Sequence, residues 1–196
     1  MRSLVTLDFA QKKQIKSLED FMKKLMAVLL ALTVVVGSAS AVEFSIGGKA
    51  GAGFAYSHEY SNSDGDTFGS TLVYGADLSV LAGINFVDFA DGKAKIGIRP
   101  EIGGLLQIPK IGFYFDMRLP VTFTYDFSES FSLGAGVGIG LFDIVDLGLA
   151  SDVFALFKAG SGNILVDFSY DLGLVNFEEY GKTDHFSLGV GYLYTF

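Results

Sequence analysis

Residues 186–196 read FSLGVGYLYTF. Phe186, Leu188, Val190, Tyr192, Tyr194 and Phe196 fall at every second position, with Ser187, Gly189, Gly191, Leu193 and Thr195 between them. A period of two over this length is a β-strand with two unlike faces, because successive side chains of a strand point to opposite sides. One face is apolar and aromatic. The other is nearly bare.

The same period runs back through the chain. Residues 43–57 set Phe44, Ile46, Ala50, Ala52, Phe54 and Tyr56 against Glu43, Ser45, Gly47, Lys49, Gly51, Gly53 and Ser57. A second strand keeps even phase from Leu72 to Phe86, with Asp77 and Ser79 on its opposite face. Asp91-Gly92 marks a tight turn. A third strand, 93–108, places Ile96, Ile98, Ile102, Leu106 and Ile108 opposite Lys95, Arg99, Glu101 and Gln107, with Pro100 interrupting it. Pro100 removes a ladder donor, so a bulge or an irregular pairing is expected there. After a turn at Pro109-Lys110, a fourth strand sets Phe113 to Phe123 against Tyr114, Asp116, Arg118, Thr122 and Thr124. A symmetric turn there puts Glu101 opposite Arg118.

The fifth strand, from Phe131 to Leu141, alternates apolar residues with Ser132 and four glycines. The sixth, about 149–159, turns Val153, Ala155 and Phe157 outward and Asp152 and Lys158 inward. Gly160-Ser161-Gly162-Asn163 reads as a hairpin turn. The seventh, 164–174, carries Asp167, Ser169 and Asp171 on its polar face. Residues 58–69, 143–148 and 176–184 read as polar loops. Eight alternating strands thus fill residues 42–196. An even number of antiparallel strands joined by hairpins closes into an up-and-down barrel, which removes both sheet edges.

Residues 22–41 read MKKLMAVLLALTVVVGSASA. Lys23 and Lys24, a twelve-residue apolar run and an Ala39-Ser40-Ala41 end form a secretory signal, with cleavage after Ala41. The apolar run is too short for a membrane helix, which takes about 20 residues. Residues 1–21 precede a complete signal with its own Met22, and we read them as an over-long start. Residues 1–41 hold six Lys/Arg and three Asp/Glu, so the mature chain keeps eight basic and nineteen acidic residues. That acidic balance carries no footprint for nucleic acid. The absence of Cys excludes disulfides and thiolate metal sites.

The direction of the apolar face decides between a soluble barrel and a membrane barrel. It is continuous and free of charge in the clean strands. Aromatic residues collect near strand ends, at Phe44, Phe86, Phe123, Tyr125, Phe131, Tyr194 and Phe196 on one rim and Tyr56, Phe113, Tyr170 and Phe186 on the other. Nine glycines on the other face make a poor water-facing surface but suit a crowded interior. These features predict an all-β, eight-stranded antiparallel up-and-down transmembrane β-barrel with its apolar face toward lipid.

With Phe196, Tyr194, Tyr192, Val190 and Leu188 in alternation at its end, the chain resembles the small bacterial outer-membrane barrels of the OmpA/OmpX/opacity-like and OmpW-like kinds. The resemblance is a pattern over the whole mature chain and not a motif. It implies residence in the bacterial outer membrane, contact with its lipid, and a C-terminal signal read by the outer-membrane assembly machinery. It also implies surface loops near 58–69, 108–110, 143–148 and 175–184 that are able to meet an extracellular ligand.

The inward face carries Lys49, Asp77, Lys95, Arg99, Glu101, Asp116, Arg118, Asp152, Lys158, Asp167 and Asp171. Buried charges must pair. The expected role is therefore structural or surface-binding, with a plugged lumen. The alternative is a narrow porin or an OmpW-like channel for small molecules. A weaker alternative rests on His58, Glu59, Asp184, His185 and Ser57 or Ser61 at one rim, a set that resembles the outer-membrane lipid A deacylases without a diagnostic spacing. Asp64-Gly65-Asp66 lacks the ligand spacing of a calcium loop. No enzyme activity, cofactor or metal is expected.

Overall fold

The computed structural model describes residues 42–60, 67–108, 112–142, 146–176 and 181–196. Residues 1–41, with the start and signal readings and Ala39 and Ala41, lie outside them, as do Pro109-Lys110, Ser61 and Asp64-Gly65-Asp66. Nine strands are present: β1 (Glu43–Tyr60), β2 (Thr67–Phe89), β3 (Ala94–Ile98), β4 (Glu101–Gln107), β5 (Gly112–Ser128), β6 (Phe131–Phe142), β7 (Asp146–Ala159), β8 (Gly162–Asn176) and β9 (Gly181–Thr195).

The strands β3 and β4 are two halves of one stave. Ile84 pairs with Ile98 and Leu81 with Glu101 in one unbroken register. On the other side Ile98 pairs with Val121 and Glu101 with Arg118, again without a shift. Only the amide missing from Pro100 interrupts the stave. The ladder still holds around it, because Ala82 N–H donates to the Pro100 carbonyl (3.0 Å) and Arg99 N–H to the Pro120 carbonyl (3.1 Å). The bulge expected at Pro100 is absent, and the irregularity there is a lost donor without a change of phase.

Every neighbouring pair of staves is antiparallel, and β9 returns to β1 from Ser45↔Thr195 to Glu59↔Gly181. The sheet is therefore a closed barrel of eight staves. Phe196 N–H donates to the Phe44 carbonyl (2.9 Å), which carries the seam to the last residue.

Short turns close one end. At β7–β8 the chain reverses through Gly160 and Ser161, with Ala159 opposite Gly162. Gly160 takes φ +61°, the conformation a two-residue hairpin needs at its first central position. At β2–β3 three successive residues, Ala90, Asp91 and Gly92, have positive φ.

Several boundaries differ from the sequence reading. The strands β1 and β2 run on through residues 58–60 and 67–69, so His58 pairs with Ser70 and Lys182 inside the sheet. Strand β7 starts at Asp146, and β8 and β9 reach Asn176 and Gly181. Polar composition marks these stretches as loops, but backbone pairing continues through them because the barrel wall extends past its apolar band. A bulge between Asn85 and Val87 also breaks the even phase of β2. Beyond it the outward position passes to Phe89, which packs against Phe123 at 5.9 Å between ring centres.

Candidate functional site in the barrel interior

The polarity of the molecule is inverted. Val80 is 61% exposed and Val190 56%, as parts of a belt that also holds Leu72, Tyr74, Ile102, Phe168 and Leu188. In contrast, Asp167 and His185 are fully buried. An apolar exterior on this scale is unfavourable in water, at roughly 25 cal/mol for each Å² left wet, and is favourable against lipid tails. The chain is a transmembrane β-barrel of the outer-membrane type. Aromatic contacts gather at its two rims. Tyr125, Phe127, Phe131 and Phe157 form a chain at the turn end, and Phe54, Tyr170 and Phe186 stack toward the other.

Inside, side chains from opposite staves meet. Arg99 Nη2 donates to Asp167 Oδ2 (2.6 Å) across the barrel and contacts Asp152 Oδ2 (3.0 Å). Lys49 Nζ pairs with Asp167 Oδ1 (2.7 Å) and Glu101 Oε1 (2.9 Å). Arg118 forms the second hub. Its Nε donates to Asp171 Oδ2 (2.7 Å), Nη1 to Ser169 Oγ, and Nη2 meets Asp116 Oδ2 (2.6 Å) and His185 Nδ1 (2.7 Å). Ser169 and Ser187 share a hydroxyl hydrogen bond (2.6 Å). Asp77 accepts from Ser79 at 3.1 Å. Glu101 lies directly opposite Arg118 in the ladder, as the symmetric hairpin requires.

The inward glycines give this network its room. A Cβ on Gly189 would stand 2.7 Å from Lys49 Cγ, and one on Gly136 would stand 2.6 Å from Asp152 Oδ1. The bare stripes are the space into which long side chains of the facing staves lie.

Two apolar clusters flank the charges. Toward the loop end Ala55, Val73, Leu105 and Phe142 pack together with Tyr114. Toward the turn end Leu81, Phe154, Leu165 and Leu193 pack with Leu156. Each cluster joins diametrically opposed staves: β1 with β6 in the first, β2 with β7 in the second. The Arg99 guanidinium lies 4.0 Å from the centre of the Phe154 ring, so the charged layer rests directly on the lower cluster. Phe142 stacks on His185 at 4.9 Å from above.

Nine of the eleven predicted lumen charges belong to this layer. Lys95 and Lys158 do not. Lys95 pairs with Glu43 (2.9 Å) and Asp126 (3.7 Å), and Lys158 is exposed. Both line a 520 Å³ vestibule at the turn end, where Leu156 forms part of the wall. Their positions are inward in phase but lie beyond the lower cluster.

The sequence reading missed the apolar clusters and placed His185 at the rim. Face assignment by residue type hides an inward Leu when both its neighbours are also apolar, as with Leu81 and Leu165. His185 was readable by phase, since it shares the odd positions of Ser187 and Gly189. It lies in the barrel interior and not at the rim. This separates the suggested catalytic set. Ser57 Oγ meets Thr183 Oγ1 (3.0 Å) on the inner face, while His58, one residue on, lies 3.8 Å from Asp184 on the outer face. Adjacent strand residues point apart, so Ser57 and His58 do not form a nucleophile–base pair.

No family model matches the chain, and no curated protein matches it in sequence. Solved structures do. Ail, the attachment invasion locus protein of Yersinia pestis, aligns at 15% identity over 79% of this chain and 100% of that one, with a TM-score of 0.44. Neisserial surface protein A aligns at 16% identity over 78% and 98%, with a TM-score of 0.44. The outer membrane protein OprG of Pseudomonas aeruginosa aligns at 16% over 79% and 96%, with a TM-score of 0.40.

Proposed function

We propose that the protein is a bacterial outer-membrane barrel whose interior is closed and whose role is structural or surface-binding, exercised through its loops and its lipid-facing wall. The observation that carries this reading is the layering of the lumen. An apolar cluster, a charge layer bridged by cross-barrel ion pairs and a second apolar cluster follow one another along the axis, each spanning opposed staves. An eight-stranded barrel is just wide enough for its side chains to fill. A polar conduit needs a continuous wet path, and the full burial of Leu81, Leu105 and Leu165 in the two clusters argues against one. The narrow porin is the weaker reading for that reason. With residues 1–41 as start and signal, the barrel passes to the outer membrane, and Leu188, Val190, Tyr192, Tyr194 and Phe196 serve as its assembly signal.

Cell fractionation with a tag inserted within 61–66 tests the placement. The tag is expected in the outer-membrane fraction and open to antibody on intact cells. Recovery in the inner membrane or in the soluble fraction would refute it.

A further inference from the structure

The charged layer does not balance. Lys49, Arg99 and Arg118 face Asp77, Glu101, Asp116, Asp152, Asp167 and Asp171, and all nine are buried. With a neutral His185 the layer is short of three positive charges. Apolar clusters on both sides keep its local dielectric low, where an uncompensated carboxylate is costly. The deficit is local as well. Asp77 Oδ2, Asp116 Oδ1 and His185 Nε2 accept or donate no hydrogen bond among the described residues. These three side chains are at least 98% buried, and each offers one ligand atom within 4.8 Å of the others.

We propose that Asp77, Asp116 and His185 bind one divalent transition-metal ion, of the zinc class, inside the barrel. One imidazole and two carboxylates form a donor set suited to such an ion. Calcium and magnesium favour six or more oxygen ligands or retained waters, whereas this triad offers one imidazole nitrogen and two carboxylates. The ion supplies two of the three missing charges and leaves one for a proton. Arg118 only donates, so its Nη2 contact makes His185 Nδ1 an acceptor and places the ring proton on Nε2, 3.6 Å from Asp77 Oδ2. Loading therefore moves that proton to Nδ1, where Asp171 Oδ2 at 3.5 Å accepts it. Arg118 gives up that one contact and keeps Asp116, Asp171 and Ser169. The ligands come from β2, β5 and β9, so the ion also ties three staves together.

The full-length protein, expressed and isolated from membranes, and the same chain refolded in detergent with zinc sulfate present from the start, are passed through gel filtration and analysed for metal. Loading before closure matters because the clusters cover both sides of the site. We expect about one zinc per folded chain, and loss of most of it in His185→Gln and Asp77→Asn. Glu101→Gln removes a carboxylate of the same layer outside the triad and keeps the metal. Folding of each variant is checked by heat-modifiable gel mobility. Cobalt loading of the unmodified chain gives a readout that needs no variant, since visible d–d absorption follows nitrogen and oxygen coordination. Metal-free protein from both preparations, or zinc retained in folded His185→Gln, would overturn the proposal.

Discussion

Arg118 shows what a single residue does in this interior. Its guanidinium reaches Asp171 and Ser169 on β8, Asp116 on its own strand and His185 on β9. Truncating it leaves four buried acceptors without their donor. Removing one partner of a buried pair typically costs about 3–5 kcal/mol. Arg118→Met is therefore expected to lower the unfolding free energy by about that amount, read from urea unfolding in detergent followed by circular dichroism. A loss below about 1 kcal/mol would place the network nearer a solvated surface array. At this scale the sequence was partly legible. The Glu101–Arg118 juxtaposition followed from hairpin geometry, and phase put eleven charges on the inward face, nine of which lie in the buried layer. Lys95 and Lys158 escaped because periodicity gives a face but not a height along the axis.

At the scale of the strand, period two carried almost all of the fold. It was decisive because the two faces meet different solvents, and a slip of one residue would exchange them. What it did not carry is equally physical. The bulge at Phe86 shifts phase without changing composition, and the wall beyond the apolar band is built from residues that read as loop. The glycine stripe of β6 gives a test. A side chain at Gly134 would run into the Phe154 ring and the Phe123 carbonyl, whereas a methyl at lipid-facing Gly48 meets only the Ser79 carbonyl at 3.5 Å. Gly134→Val is expected to destabilise by about 1–3 kcal/mol through overpacking, while Gly48→Ala is close to neutral. Equal effects in the same urea assay would contradict the inward packing of β6. Strand β9 is both the closing stave and the segment we propose as the assembly signal. Deletion of Phe196 is expected to lower outer-membrane levels more than Val190→Ala, by immunoblot of fractionated cells. Equal levels would remove the special role of the terminal aromatic.

The whole molecule turns a polar interior and an apolar exterior to opposite environments, and inside it two apolar clusters flank one charged layer. Composition alone suggested a polar core. The clusters come from inward Leu and Phe residues whose neighbours are apolar too, and only the three-dimensional register assigns them to the inside. This layering is the observation on which the proposed closed barrel rests. The most direct measurement is single-channel recording of the purified barrel in a planar lipid bilayer. The proposed closed interior predicts a baseline trace with no reproducible conductance steps. Stable ohmic steps from the folded monomer would contradict it.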